Sequence, residues 1–319
     1  MDFGIISLGN HAQGRVIPAI LNAGSRVTHV YSTDRAKGER VSKNIGAEYC
    51  EDLEDFFRRS FEAVYISSPN SLHFTHARMA MEAGKFVLLE KPVTLRVEDT
   101  VALAELSAKR SLRFGIGFHL RFHPAVEDVK RILSSGQIGE VRAVFGKFSS
   151  NSVSSHDGTW WSDPTMAGGG SISGRGVHIF DSFVNLLGRE VISVSASNLP
   201  KCAIVEDTMH ATFLFQGGIV ANSLSSRTMS ADYNDLTIIG SEGGISVSNF
   251  YSTAVSSKLF VRGKLQKEYD GSTNMYVEEV KDFVKGGKRI AGPEDAVLST
   301  KMHLYSQESA CSGKTINFR

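Results

Sequence analysis

The sequence predicts an α/β protein of two domains, in which a parallel, doubly wound sheet precedes an α+β domain with a large, mostly antiparallel open sheet. Short apolar runs alternate with helical patterns in the first third of the chain, and strand patterns follow one another closely in the second half. The length of 319 residues also exceeds the size at which one hydrophobic core usually keeps growing. We place the domain boundary near His119, which gives domains 1–119 and 120–319.

The N-terminal third supports the parallel sheet element by element. Short apolar runs predict strands at residues 3–8, 26–31, 63–67, 86–89 and 113–118. Apolar residues at helical spacing predict helices that begin soon after residue 9 and at residues 35–44, 72–83 and 97–110. Strands that alternate with helices in this way are typical of a doubly wound sheet.

The pattern changes in the second half. Strands are predicted at residues 141–148, 191–196, 211–215, 218–224, 236–239 and 245–247. Helices are predicted from Pro124 to near Gly136 and at residues 176–187, 275–284 and 293–309, and the last of them could pack back on the first domain. The polar segment 149–170 is a long loop, and loops of that length usually serve a site.

The composition excludes several functional classes. Lys and Arg number 35 against 34 Asp and Glu, so the net charge of +1 does not indicate a nucleic-acid partner. No run of about eighteen apolar residues indicates a membrane span, and the N-terminus does not resemble a signal peptide. The three cysteines lack a C-x-x-C pair and suit a reducing compartment. We therefore expect a cytoplasmic protein.

The first strand ends in a degenerate dinucleotide-binding turn. In Ser7-Leu8-Gly9-Asn10-His11-Ala12, Ser7 and Ala12 replace the first and third glycines of G-x-G-x-x-G/A. Gly9 still lets the backbone approach a pyrophosphate, and the helix that follows offers unpaired N–H groups. Because a strand and a helix flank the turn correctly, a coenzyme site is favoured over a purely structural glycine turn.

The second strand indicates which coenzyme. About twenty residues after the turn, where NAD-binding chains carry an acid, this sequence has Ser32 and Thr33, followed by Arg35 and Lys37. Hydroxyls and cations suit the 2′-phosphate of NADP. Asp34 is the alternative, because a shift of two positions would place it on the ribose and favour NAD.

Further motifs carry a family resemblance. Ser68-Pro69-Asn70-Ser71-Leu72-His73 and Glu90-Lys91-Pro92 follow consecutive strands, and an Ala167-Gly168-Gly169-Gly170 run precedes His178 and Asp181. With Trp161-Ser162-Asp163-Pro164, these motifs resemble the Gfo/Idh/MocA oxidoreductase family over nearly the whole chain. Within this family, the N-terminal half of the chain is most similar to NADP-dependent anhydrofructose reductases, through Ser32-Thr33 and Lys37.

The resemblance implies roles for two catalytic residues and a cis peptide before Pro92. Lys91 would lie beside the nicotinamide, where an ammonium stabilises the charge that develops on a carbonyl oxygen; the alternative is a salt bridge at the rim of the sheet. His178 matches the acid/base histidine of the family, and imidazole suits proton exchange near neutral pH. Many members carry an aspartate four residues before that histidine, where this chain has Gly174.

Other residues complete the predicted site. Asp181, one helical turn after His178, either contributes to catalysis or forms a helix-face ion pair. Coenzyme contacts are expected from Ser7, Gly9, Asn10, His11, Ala12, Ser32, Thr33, Arg35, Lys37, Ser68, Pro69, Asn70, His73, Glu90, Lys91, His119 and Trp161. Trp161, with Trp160, could instead anchor the long loop. His119 and His123 have metal-ligand spacing, but Pro124 interrupts a shared helix face, so no metal is expected.

These observations favour an NADP(H)-dependent oxidoreductase that acts on a sugar, cyclitol or related keto compound. Gly174 keeps open a coenzyme-binding sensor of the same fold, and a lyase or glycosidase that uses transient oxidation by bound NAD is a third hypothesis. An open sheet in the second domain would expose a broad apolar face, so we expect a homodimer or homotetramer that pairs those faces.

Overall fold

The computed structural model describes residues 1–152, 158–229 and 234–318. The strands, numbered in chain order, are β1 (Asp2–Ile6), β2 (Arg26–Tyr31), β3 (Glu48–Cys50), β4 (Ala63–Ile66), β5 (Phe86–Leu89), β6 (Phe114–Ile116), β7 (Val141–Ser149), β8 (Val191–Leu199), β9 (Thr208–Phe215), β10 (Ile219–Ser226), β11 (Leu236–Gly240), β12 (Gly244–Val247), β13 (Ser257–Val261), β14 (Lys264–Tyr269) and β15 (Ile316–Asn317). The helices are α1 (Ile17–Asn22), α2 (Arg35–Ile45), α3 (Leu53–Arg58), α4 (His73–Glu82), α5 (Val97–Lys109), α6 (Ala125–Ser134), α7 (Pro164–Ala167), α8 (Val177–Leu187), α9 (Met275–Lys285) and α10 (Pro293–Ser312).

The first compact unit contains a six-stranded parallel sheet in the order β3-β2-β1-β4-β5-β6. Its central strands are buried on both faces, as continuous apolar runs such as Ala63–Ile66 require. The strand order reverses between β1 and β4, and a ligand crevice in such sheets lies at the carboxyl ends of the strands at this point. The predicted doubly wound domain is therefore confirmed.

The first unit also includes a later part of the chain. It comprises Met1–His119 and Tyr276–Thr300, whereas the sequence placed the second segment in the second domain. Arg113 donates to the carbonyl oxygens of Phe283 and Val284 at 2.6 and 2.9 Å, and the hydroxyls of Thr100 and Thr300 lie 3.0 Å apart. These contacts join residues 170 to 200 positions apart, which no local pattern indicates.

The second unit comprises Leu120–Met275 and the residues from Lys301 onwards. Its nine strands lie in the order β14-β13-β12-β11-β7-β10-β9-β8-β15, and among them only β7 and β10 pair in parallel. Buried and exposed residues alternate along β9, so one face of the sheet is covered. This sheet confirms the predicted, mostly antiparallel architecture.

Helix α8 packs on the covered face of this sheet. The ring of Phe180 meets Phe213 edge to face, with centroids 4.8 Å apart. A Cβ at Gly146 would lie 2.4 Å from a methyl carbon of Ile179, so glycine permits the close approach of α8 to β7. Each buried Ile or Phe of the helix stabilises the unit by roughly 1.5–3 kcal/mol. The packing fixes the position of the helix that carries His178.

Several short elements escaped sequence analysis. Strand β14 reads KLQKEY and buries only its last residue, and the three-residue β3 lies at the edge of the other sheet. Edge strands need no alternating apolar face, so they lack the pattern by which strands are detected. No helix in the described ranges is long and apolar enough to cross a membrane.

Candidate functional site

The dinucleotide turn has the conformation that a coenzyme site needs. Ser7 follows β1 with φ of 74°, a left-handed backbone conformation that favours glycine, and its N–H donates to the carbonyl oxygen of Tyr31 at 3.0 Å. A Cβ at Gly9 would meet nothing within 4 Å, so the space above this turn is open. A π-helical turn at Ala12–Val16 then leads into α1. Ser7 therefore adopts the turn although the first glycine of the motif is absent.

The end of β2 presents hydroxyl groups. Ser32 is buried and its Oγ accepts from the backbone N–H of Asp34 at 3.2 Å, while Thr33 is exposed. The carboxylate of Asp34 caps α2 by accepting from the backbone N–H of Lys37 at 3.0 Å, and this bond lowers the pKa of Asp34. The side chain of Asp34 is thus engaged in its own helix.

Both predicted cations of this region form surface ion pairs. The ammonium of Lys37 lies 3.3 Å from Asp34, and the guanidinium of Arg35 pairs with Glu39 at 2.8 Å and with Glu51 at 3.1 Å. Exposed pairs of this kind contribute little to stability, so a bound phosphate can replace the carboxylates at small cost. Lys37, unlike Arg35, pairs directly with Asp34 in the capped turn.

The segment after β4 is held by two histidines of α4. His73 is buried, and its ring nitrogens lie 2.8 Å from the carbonyl oxygen of Pro92 and 2.9 Å from that of Ser68. Nδ1 of His76 lies 2.9 Å from Oγ of Ser68. Both edges of the His73 imidazole therefore face the backbone. This corrects its assignment as a coenzyme contact, because the ring positions the loops after β4 and β5.

Asn10, Pro69 and Asn70 lie on the loops at this edge of the sheet. Asn10 is exposed next to the open space above Gly9. Pro69 precedes the single turn Asn70–Leu72, and Asn70 is buried. The loops after β1 and β4 are neighbours, because Oγ of Ser67 donates to the carbonyl oxygen of Ser7 at 3.2 Å. These residues occupy the positions at which sequence reasoning placed the coenzyme, and their contacts to it stay predictions.

Glu90 is the centre of a polar cluster at the carboxyl end of β5. Its Oε1 accepts from the hydroxyl of Tyr65 at 2.7 Å and lies 3.2 Å from Nε2 of His11. Burial alone would raise the pKa of Glu90, but His11, Lys91 and Tyr65 lower it to about 2. Glu90 is therefore a fixed negative charge beside Lys91, and the Lys91–Pro92 peptide is cis, as the resemblance implies.

An aromatic pair lies next to this cluster. The imidazole of His119 stacks on the ring of Tyr276, with centroids 4.2 Å apart, and the ring of His11 meets the same tyrosine edge-on at 5.4 Å. Burial lowers the pKa of His119 to about 3, so this imidazole is neutral near pH 7. Burial, with Glu90 nearby, raises the pKa of Tyr276, which keeps the phenol protonated.

In the second unit, His178 is buried in the first turn of α8. The helix is preceded by a π-helical turn, Ile172–Gly176, whose start is held by the buried Glu206. One carboxylate oxygen of Glu206 accepts from the N–H of Ile172 at 2.6 Å, and the other accepts from the N–H of Gly170 at 2.9 Å. Glu206 thus sets where the histidine helix begins.

Gly174 occupies open space in that π-helical turn. A Cβ at this position would meet nothing within 4 Å. Packing therefore leaves room for the aspartate that the family resemblance implies at this position. Glycine is thus not required at this position by steric contacts.

Asp181 forms a buried ion pair with Arg121. The guanidinium donates to the carboxylate through Nη2 at 2.6 Å and through Nε at 3.0 Å, and each side chain is about 5–6% exposed. The pairing favours the structural alternative for Asp181, and its catalytic assignment stays a prediction.

The remaining predicted residues have local contacts. Trp160 and Trp161 stack on each other with centroids 4.3 Å apart and are half-buried, and a coenzyme contact of Trp161 stays a prediction. Nδ1 of His123 accepts from the N–H of Ala125 at 3.1 Å, at the start of α6. Across the described residues, no group of three or more His, Cys, Asp or Glu side chains could hold a metal ion.

Sequence reasoning missed three residues of these clusters. Tyr65 is a buried tyrosine in an otherwise apolar strand. Because a buried hydroxyl needs a hydrogen-bond partner, its residue type and position could have indicated a polar contact at this edge of the sheet. Tyr276 and Glu206 are far in sequence from the groups that they contact. No local pattern marks such residues.

Comparisons with known proteins agree with this architecture. The model of an oxidoreductase family with an NAD-binding Rossmann fold, GFO/IDH/MocA, matches residues 1–118, and that of the GFO/IDH/MocA C-terminal domain matches residues 126–246. An uncharacterized oxidoreductase of Rhizobium meliloti, ORF334, is 33% identical over 251 residues, which are 77% of this chain and 74% of that protein.

Two further matches span both domains. The 1,5-anhydro-D-fructose reductase of Ensifer adhaerens is 26% identical and covers 98% of this chain and 97% of its own length. The crystal structure of aldose-aldose oxidoreductase from Caulobacter crescentus superposes with a TM-score of 0.87 at 21% identity, over 100% of this chain and 99% of the other. The structural match shows a shared fold.

Proposed function

This chain belongs to the GFO/IDH/MocA oxidoreductase family, and from that premise we propose that it uses NADP(H) to reduce or oxidise a sugar, cyclitol or related keto compound. The observation that carries the proposal is the position of Lys91. It follows the half-buried, ionised Glu90 at the carboxyl end of β5, in the same sheet as the open turn at Gly9. This is the edge at which doubly wound sheets bind nucleotides.

The residues of the turn fit a dinucleotide. Open space above Gly9 leaves room for a pyrophosphate close to the backbone. Ser7, Asn10 and Ala12 lie within three residues of Gly9 in the chain. When bound, the nicotinamide supplies or accepts the hydride. We assign Ser68, Asn70 and Glu90 to the nicotinamide end of the site and Ser32 and Thr33 to the adenosine end.

The chain supplies charge stabilisation and proton transfer. Lys91 places an ammonium where negative charge develops on the carbonyl oxygen of the substrate, and its backbone N–H donates to the carboxylate of Glu90 at 3.3 Å. His178 exchanges a proton with the substrate oxygen, because imidazole changes charge near neutral pH. His119, neutral and stacked on Tyr276, adds an aromatic pair beside Glu90.

A spectrophotometric screen tests the proposed function. Purified protein should oxidise NADPH with keto-sugars or inososes, or reduce NADP with the corresponding polyols, and both changes are followed at the absorbance of the reduced nicotinamide. Tight coenzyme binding without turnover of any compound would instead support a sensor, as Gly174 allows. Tightly retained coenzyme that returns unchanged after turnover would support a lyase or glycosidase.

The coenzyme preference gives a separate prediction. Ser32 stands where NAD-binding chains carry an acid, and Asp34 is engaged in capping α2. Lys37→Glu should weaken NADPH binding at least about tenfold and leave NADH binding nearly unchanged, because it removes a charge-assisted bond to the 2′-phosphate and adds repulsion. Fluorescence titration measures both affinities. Lys43→Glu, on an exposed position of the same helix, is the control, and equal wild-type affinities for NADPH and NADH would contradict the assignment.

The uncovered face of the nine-stranded sheet indicates self-association. Phe145, Leu214, Val220 and Ile239 are each 37–44% exposed, and strand pairing places Val220 directly opposite Leu214. We propose that two copies pair these faces, since monomers rarely expose so continuous an apolar patch. Sedimentation should show a dimer or tetramer that Leu214→Glu dissociates, whereas Leu21→Glu, on α1, should leave it intact. A monomeric wild-type protein would contradict this proposal.

A further inference from the structure

Arg175 is a half-buried cation without a carboxylate partner among the described residues. Its Nη2 donates to the hydroxyl of Ser152 at 2.8 Å and to that of Ser150 at a shorter distance. Other arginines of this unit have acidic partners, such as Arg121 with Asp181. A guanidinium removed from water without an opposite charge is costly, so its presence needs a reason.

The surroundings of Arg175 add positive charge. The nearby Arg227 pairs with Asp207 at 2.9 Å, so that acid is already neutralised. Burial, followed by the charge of Arg227, lowers the pKa of Arg175 to about 10, and the guanidinium stays charged at pH 7. The neighbouring residue is Gly174, which has no side chain that could offset the charge. The turn that precedes α8 therefore carries uncompensated positive charge, which favours binding of a negative group.

Arg175 and His178 both lie near the ring of Phe148. The guanidinium carbon of Arg175 lies 5.9 Å from the centroid of the Phe148 ring, and the imidazole of His178 lies 6.2 Å from it. Arg175 belongs to the π-helical turn that leads into the helix of His178, and such turns are frequent at functional sites. Arg175 and His178 therefore lie near the same aromatic ring, within one short stretch of chain.

We propose that Arg175, with Ser150 and Ser152, binds an anionic group of the substrate, a carboxylate or a phosphate. A guanidinium presents paired N–H donors that match the oxygens of either anion. Because the hydroxyl oxygen of Ser150 already accepts from Arg175, its own proton can be directed to the anion. The inference rests on the proposed function and narrows its substrate class to sugar acids or phosphosugars.

Calorimetric titration of the full chain tests this site without requiring hydride transfer. The probes are D-glucuronate for a carboxylate, D-glucose 6-phosphate for a phosphate, and D-glucose as the neutral analogue. We expect at least one acid to bind about tenfold more tightly than glucose. Arg175→Gln keeps a hydrogen-bond donor for the serines and removes the charge, so it should weaken binding of that acid about 10- to 100-fold. Binding of glucose should not change.

The controls separate charge from structure. Arg262→Gln, at an exposed position in the turn between β13 and β14, should leave acid binding unchanged. Arg175→Lys, which keeps the charge but loses the paired donors, should give intermediate affinity. If Arg175→Gln does not fold, raised ionic strength should still weaken binding of the acid by the wild-type protein and leave glucose binding unaffected. The relative affinities for the two acids identify the anion as carboxylate or phosphate.

Two results would overturn the inference. The first is that the acids bind no more tightly than glucose, or bind Arg175→Gln as tightly as the wild-type protein. The second is that Arg175→Gln loses affinity for NADPH, which would assign Arg175 to the coenzyme. Failure of the proposed function has a different signature, because acid binding that depends on Arg175 would persist while no compound is oxidised or reduced.

Discussion

Lys91→Ala should slow single-turnover hydride transfer by about 10²- to 10³-fold while the protein stays folded and binds NADPH. This is the loss expected when one preorganised group that stabilises an oxyanion is removed from a site that excludes water. Glu90, His11 and Tyr65 hold the region around Lys91 through their own contacts, so the loss of the ammonium should not disturb the fold. Stopped-flow absorbance of the reduced nicotinamide measures the rate.

The control variant for this experiment is Lys109→Ala, at an exposed position near the end of α5. It removes the same side chain away from the site and should leave the rate unchanged. Circular dichroism and NADPH titration verify that both variants are folded and bind coenzyme. An unaltered rate in Lys91→Ala would remove this lysine from the mechanism, whatever the substrate.

Asp181→Ala should destabilise the protein by about 3–5 kcal/mol, because it leaves the guanidinium of Arg121 buried without its partner. Unfolding in urea, followed by circular dichroism, measures the change in unfolding free energy. The double variant Arg121→Met with Asp181→Leu should be less destabilised than Asp181→Ala, since no buried charge then remains unpaired.

An exposed pair is the control for this effect. Glu54→Ala breaks the surface pair with Arg58 and should change stability little. A catalytic role for Asp181 would give a different outcome: Asp181→Ala would keep its stability and lose activity. The two roles of Asp181 that the sequence left open are therefore separable by experiment.

Much of the site was predictable because its residues lie in short motifs. Gly9, Lys91 and His178 each occur in a run with a defined chemistry, at or next to the ends of predicted elements. His73 also belongs to such a run, but the nitrogens of its buried imidazole face the carbonyl oxygens of Ser68 and Pro92. A motif can therefore identify an important residue without showing whether it contacts a ligand or positions a loop.

The sequence alone determined the fold class and the coenzyme turn, because both depend on periodicity and on residue types within about thirty positions of one another. Tertiary structure decided which distant groups meet: Tyr276 with His119, Arg121 with Asp181, and residues 276–300 with the first unit. It also showed that Arg175 is half-buried without a carboxylate partner in the described part of the chain. Burial and charge compensation are properties of a packed environment, and that environment is assembled from segments too far apart in sequence to leave a local pattern.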